Sequence, residues 1–172
     1  MDVEKLLHMT GGLGETSYAR NSSQQKKGLE MVRHITLDAI LDLYHSTTPH
    51  SIAIADLGCS SGHNTLSVVE EIIQAIHERC HRYLRPSPEF QVFLNDLPAN
   101  DFNSIFAALP DFHAKLINKG GRRSEASPCV FIAGVPGSFY ARLFPTTSLH
   151  FVHSSFALHW LSRVSSLYLL NL

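Results

Sequence analysis

The chain has 172 residues, enough for one domain with a substantial core, and 44% of them are hydrophobic, an ordinary share for a globular protein. Fourteen Lys and Arg against fifteen Asp and Glu give a formal net charge of −1, which argues against a nucleic-acid or anionic-membrane surface, since either needs clustered basic charge. Three widely spaced cysteines, Cys59, Cys80 and Cys129, make no disulfide framework and point to a reducing, cytoplasmic home; acids at Asp2 and Glu4 and the lack of a long apolar run argue against a signal peptide and a membrane span.

Residues 9–23 form a polar lead-in with three glycines. Leu29, Val32, Ala39, Ile40 and Leu43 fall at helical spacing and predict a helix over 27–44, broken by Thr47-Thr48-Pro49-His50. Residues 51–57 are a short apolar run suited to a buried parallel strand, 58–62 a tight turn, and 64–82 a helix with Val69, Ile72, Ile73 and Ile76 on one face. A proline loop at 85–88 precedes a second strand over 90–94, which ends at Asn95-Asp96. Residues 101–109 read as a helix closed by Pro110, and 118–128 as a loop; the basic stretch 115–123 is a solvated face. A third strand spans 129–133, a turn 134–138 and a fourth strand 149–152. Strands alternating with helices imply an α/β fold: a mainly parallel sheet with helices on both faces, and ligands beyond the carboxyl ends of the strands.

The sharpest local signal is Ile54-Ala55-Asp56-Leu57-Gly58-Cys59-Ser60-Ser61-Gly62-His63-Asn64. It is a strand, an acid, a turn of small residues and a helix start. Small residues admit close backbone approach, and a helix N-terminus offers free N–H groups to an anion. The G-x-G-x-x-G dinucleotide fingerprint and the phosphate-loop lysine are both missing, which disfavours a nicotinamide dehydrogenase. Asp56 suits a ligand with an ammonium group; the plainer reading is an ordinary strand-to-helix turn. Asp96 ends the second strand, where doubly wound folds place an acid on ribose hydroxyls; the plainer reading is a cap on the next helix. Leu97 can cover an adenine face, and Ser138 and Phe139 add a hydroxyl and an aromatic wall. Together these residues point to an adenosine-containing ligand with an amino-acid tail.

The N-terminal run His8-Met9-Thr10-Gly11-Gly12-Leu13-Gly14-Glu15-Thr16-Ser17-Tyr18-Ala19-Arg20-Asn21-Ser22 resembles the start of the plant SABATH methyltransferases. That family includes salicylate, benzoate and jasmonate carboxyl methyltransferases and caffeine-pathway N-methyltransferases. Residues 55–62, 90–103, 134–145 and 149–162 match it in order and spacing. The resemblance implies a Rossmann-like methyltransferase fold, here with about four strands, and S-adenosyl-L-methionine as cofactor, with S-adenosyl-L-homocysteine as product. It implies cofactor contacts at Tyr18, Ser22, Asp56, Cys59, Asn64, Asp96, Leu97, Ser138 and Phe139. It implies that Gln25 and Trp160 hold an acceptor carboxylate, with Phe156 and His159 lining that pocket. An amide and an indole N–H are neutral donors that can orient a carboxylate. The acceptor is then a small carboxylic acid, converted to its methyl ester. A ring N–H acceptor is the alternative, with His159 as its base. The full-length family also implies a possible homodimer. No metal ligands are carried over.

This sequence departs from the family at Thr10, at His63, where Pro is usual, and at Phe156, where Tyr is frequent. The match ends near Val164. We therefore expect a covering segment over 1–50, a cofactor-binding half-domain over 51–164 and a divergent tail over 165–172. A chain ending there is expected to be either an active methyltransferase completed by a partner chain or a non-catalytic remnant that binds the cofactor weakly or misfolds. Other clusters read more plainly. His77, Cys80 and His81 lack a zinc spacing. One of His150, His153 and His159 faces the pocket, and the others are core or rim residues. Cys59 has no base placed beside it by the sequence, and Ser154-Ser155 lacks a hydrolase elbow.

Overall fold

A computed structural model describes residues 22–61, 63–119 and 127–157. The element order is α1 (Ser23–Thr47), β1 (Ser51–Leu57), α2 (His63–Arg82), β2 (Glu89–Asp96), α3 (Phe102–Ala107), α4 (Leu109–Lys119), β3 (Val130–Pro136) and β4 (Phe151–His153). The four strands form one sheet in the order β3-β2-β1-β4, and all three pairings are parallel. Chain order runs outward from β1 to β3 and then jumps back to place β4 on the other side of β1. The switch point of this Rossmann-like half therefore lies between β1 and β4, at their carboxyl ends.

The register divides the sheet into two unequal faces. Ile52, Ile54, Phe90, Val92 and Leu94 are all essentially inaccessible and join one core cluster with Ile40 of α1, Ile72, Ile73 and Ile76 of α2, Ile105 of α3 and Phe112 and Leu116 of α4. The opposite face carries Ala53, Ala55, Phe93, Phe131 and Val152. Phe131 is exposed there, and Phe93 meets Phe144 of the β3–β4 connector at 5.6 Å between ring centroids. Helices flank the sheet as the alternation requires. Both faces were expected to carry them, yet among the described residues the helices bury against the isoleucine-rich face, and residues 137–150 cross from β3 to β4 without a helix.

Element boundaries differ from the sequence reading for local reasons. Helix α1 begins at Ser23 rather than residue 27, because Ser23, Gln24, Gln25 and Lys26 are acceptable helix formers that carry no apolar period. It runs on to Thr47, where the Thr48 N–H closes on the Tyr44 carbonyl with Thr48 in the left-handed region; Pro49 then prevents continuation. Pro110 does not end the helical region. It sits in the first turn of α4, where no N–H is needed, so two short helices replace one. The third strand starts one residue later than expected, at Val130, and runs on to Pro136. The fourth is Phe151–His153 rather than 149–152. Among the described residues no helix is long and apolar enough to cross a membrane.

A candidate cofactor site at the carboxyl ends of the strands

The turn after β1 is held from the neighbouring strand. Asn95, the last residue but one of β2, is fully buried, and its backbone carbonyl accepts from the N–H groups of both Gly58 and Cys59 at 2.9 Å. Its amide nitrogen donates to the carbonyls of Val135 (2.8 Å) and Gly137 (2.9 Å) at the exit of β3. One residue thus joins three strand ends, to the β1 turn through its backbone carbonyl and to the β3 exit through its side chain. Gly58 takes φ +80°, a conformation glycine adopts without penalty. A Cβ there would lie 2.4 Å from the Ala157 Cβ, so the chain leaving β4 passes directly over this turn.

Asp96 does not cap the next helix. Asp101 does that, accepting from Ser104 N at 3.1 Å. Asp96 accepts from Ser60 N at 2.7 Å and from Leu97 N at 2.8 Å, while the Asn100 amide donates to Ser60 O at 3.0 Å. These bonds hold Ser60 at φ 55°, a left-handed backbone that costs a non-glycine residue about 1–3 kcal/mol. Burial pushes the Asp96 carboxyl above the usual carboxylate range. Its two N–H donors pull against that shift, and the Asp56 charge adds to it. The hydroxyls of Ser60 and Ser61 are buried with no partner among the described residues. Buried orphans of this kind are rare and mark a place where a ligand or water completes the bonding.

Asp56 is 6% exposed near the end of β1. Its Oδ2 accepts from the Thr65 hydroxyl at 2.6 Å, and its Oδ1 lies 2.8 Å from His153 Nδ1. His153 is the register partner of Asp56 across the switch point. The Cys59 thiol is 4% exposed and donates to Ser60 O at 3.4 Å. Burial first, then the Asp56 and Asp96 charges, push it well above the ordinary thiol range. It is therefore no nucleophile at neutral pH, and its backbone is what serves the turn.

The sequence-predicted cofactor residues Asp56, Cys59, Asp96, Leu97, Ser138 and Phe139 come together at this end of the sheet. Gly137 N donates to Asp96 O at 2.9 Å, which ties the Ser138-Phe139 loop to β2. Asn64 starts α2, and its amide donates to the carbonyl of buried Ser22 at 3.3 Å, linking the entries of α1 and α2. On the acceptor side, Gln25 Oε1 is buried without a partner among the described residues. One helical turn on, Gly28 makes room for Phe156. A Cβ at Gly28 would lie 2.4 Å from the tip of that ring. Gln25 and Gly28 share one face of α1, and Phe156, next to the Ala157 that covers the Gly58 turn, packs on that face at Gly28. Tyr18, His159 and Trp160 lie outside the described residues.

Three residues at the site escaped the sequence reading as functional positions, Asn95, Asn100 and Thr65, and His153 was only one of three histidines of which one was expected to face the pocket. Asn95 carried a usable signal, since an asparagine ending a strand of apolar residues runs against strand propensity. A small groove of about 60 Å³ between α1 and α2, lined by Lys26, Arg33, Asn64, Glu71 and His153 among others, also reaches this region. The Arg33–Glu71 ion pair, at 2.9 Å, joins its two walls. It is far smaller than an ordinary ligand pocket; the groups that fit a nucleoside lie at the strand ends. Among the described residues no group of three His, Cys, Asp or Glu could hold a metal ion.

Comparison with known proteins bears on the family and the fold. The family profile described as SAM dependent carboxyl methyltransferase matches residues 4–169. The chain is 50% identical over 169 residues to a jasmonate O-methyltransferase of Arabidopsis thaliana, covering 95% of this chain and 43% of that protein. It is 49% identical over 164 residues to the benzoic acid/salicylic acid carboxyl methyltransferase 3 of Petunia hybrida, covering 95% and 45%. Among solved structures, a loganic acid methyltransferase with SAH superposes with a TM-score of 0.71 at 36% identity, covering 91% of this chain and 41% of that one. The chain thus spans less than half the length of the relatives it matches. With the profile covering nearly every residue and the fold matching a solved member, the chain belongs to the S-adenosylmethionine-dependent carboxyl methyltransferases, the SABATH family.

Proposed function

We propose that this chain forms the cofactor-binding half of a methyltransferase that transfers the methyl of S-adenosylmethionine to the carboxylate of a small plant acid, giving a methyl ester. The observation that carries the reading is the pairing of two carboxylates, buried Asp56 and half-buried Asp96, around a small-residue turn whose Ser60 and Ser61 hydroxyls have no partner among the described residues. These groups fit the cofactor in chemical type: carboxylates for an ammonium and for ribose hydroxyls, and free hydroxyls for a polar tail.

Bound there, the cofactor supplies an electrophilic methyl group. The protein's share is placement. Asp56 receives the amino group, and Asp96 receives the ribose. Leu97 and Phe139 flank the base, with Ser138, Ser22, Asn64 and Tyr18 completing the wall. Gln25 and Trp160 orient the acceptor carboxylate, beside Phe156 and His159. A carboxylic acid of pKa ~4 is already ionised at neutral pH, so no general base is required. Alignment and exclusion of water remain as the work of the site. In this reading residues 51–164 are the cofactor half-domain, and 1–50 cover it. The relatives named for jasmonate and for benzoic and salicylic acid support an aromatic or cyclic acid as acceptor.

The test is calorimetric titration of the purified chain with S-adenosylhomocysteine, with Asp96→Ala as control and circular dichroism to verify that the variant is folded. The expected outcome is saturable binding that falls at least about ten-fold in the variant, the loss of one bidentate charged contact. Absence of binding to the folded wild-type chain would overturn the reading.

A further inference from the structure

We propose that His153 is a positioning residue for the cofactor's amino group: with Thr65 it fixes the Asp56 carboxylate in the orientation that receives the ammonium. The inference rests on the cofactor reading above and names a residue that the family motif did not bring into the site.

The geometry is specific. His153 and Asp56 face each other in register across the β1–β4 switch point. The His153 side chain is 12% exposed and that of Asp56 8%. With Nδ1 2.8 Å from Oδ1, the ring donates to one carboxylate oxygen, while Thr65 donates to the other at 2.6 Å from the first turn of α2. A carboxylate has about four acceptor positions, so two remain for a ligand. Two fixed donors from different elements stop rotation about χ2, which otherwise is broad for an aspartate. Without them, the oxygens would have to be ordered at the moment of binding, at a cost in affinity. Ser154 extends the same device: its hydroxyl donates to Leu57 O at 3.0 Å, so the residues that end β4 are tied to the end of β1.

The role is separable from simple structural support by the choice of ligand. S-Adenosylhomocysteine carries the amino-acid tail; 5′-methylthioadenosine carries the same nucleoside and sulfur without it. Both are titrated calorimetrically into the wild-type chain and into His153→Leu, His153→Asn and Thr65→Val. His153→Leu should weaken S-adenosylhomocysteine about ten-fold, the loss of one hydrogen bond to a charged group, and leave 5′-methylthioadenosine within two-fold. His153→Asn keeps a donor near the Nδ1 position and should recover most of the loss. Thr65→Val, nearly isosteric, should repeat the selective loss even where the His153→Leu chain fails to fold. Equal weakening of both ligands, or of neither, in His153→Leu and Thr65→Val would overturn the positioning role while leaving the cofactor reading intact. A wild-type chain that binds neither ligand would overturn both.

Discussion

Asn95 offers the most demanding test of how the site is built. Its side-chain nitrogen faces two carbonyl oxygens, of Val135 and Gly137, at 2.8 and 2.9 Å. Both contacts are acceptors, so the amide orientation is dictated by the bonding. Asn95→Ala removes two hydrogen bonds worth about 1 kcal/mol net each, leaves two carbonyls short of a donor and opens a small void. The sum is about 3 kcal/mol. For a domain of this size that lowers the melting midpoint by about 6–12 °C. Asn95→Asp keeps the volume but turns a carboxylate oxygen toward both carbonyls. At pH 7 it should destabilise at least as much as alanine. The new carboxyl meets two oxygens, so its folded pKa rises above the unfolded ~3.9. The folded state then binds more protons than the unfolded one, so stability falls as pH rises through that window and recovers in acid. Thermal unfolding followed by circular dichroism at several pH values reads this. An Asn95→Asp chain melting within about 2 °C of wild type at pH 7 would refute the account of the Asn95 side chain as the fastener of β2 to the β3 exit.

Four further outcomes follow from single observations. Gly58→Ala places a Cβ at φ +80° against the Ala157 Cβ and should cost about 2 kcal/mol or more in denaturant unfolding. Gly28→Ala should destabilise the wild-type chain through the Phe156 ring, yet stabilise a Phe156→Ala background by up to about 1 kcal/mol of helix propensity; a double-mutant cycle on melting data checks the change of sign. Under native conditions iodoacetamide should label exposed Cys129 and spare buried Cys59 and Cys80; mass spectrometry showing Cys59 labelled as fast as Cys129 would contradict the raised Cys59 thiol. Tyr44 is pushed up to about 12, by burial first and then by its contact with Cys80. The unfolded phenol ionises near pH ~10, so the folded state holds the extra proton between about 10 and 12 and stability should fall across that window. Tyr44→Phe should remove this part of the alkaline slope in urea titrations.

The strands and the long helix α2 were legible because their signals are of the kind a single sequence carries. Five consecutive buried residues in β1 read as an apolar run, and the α2 core positions repeat with helical period. The acids at two adjacent strand ends were legible for the same reason, being polar residues placed where an apolar run stops. What escaped depends on contacts between distant residues. Thr65 reads as an ordinary helical threonine until β1 brings Asp56 to it across nine positions. His153 reads as one histidine among several until the β1–β4 register sets it beside Asp56, 97 positions away. Pro110 misled for a different reason: it signals either an end or a beginning, and only the packing of Phe112 and Leu116 into the core decides for a second helix.

The energetics of the site explain why its residues take this form. Taken without a ligand, the strand ends are poorly satisfied. Two acids sit close enough for the Asp56 charge to help raise the Asp96 carboxyl, and among the described residues neither is paired with a lysine or arginine. Ser60 adopts a left-handed backbone, and two buried hydroxyls have no partner among the described residues. Each feature costs free energy that an ordinary turn would avoid, by glycine at Ser60 or by an apolar residue at Asp56. The offsetting bonds come from Asn95, Asn100, Thr65 and His153, and all of them hold backbone or carboxylate in place. An arrangement that fixes acids without a lysine or arginine beside them leaves room for a cationic, hydroxyl-bearing ligand to supply the missing partner. Local disfavour concentrated at one place and compensated around it is the pattern expected of a binding site built into an otherwise consistent fold. On the proposed reading, ligand binding and folding stability at these strand ends draw on the same few contacts.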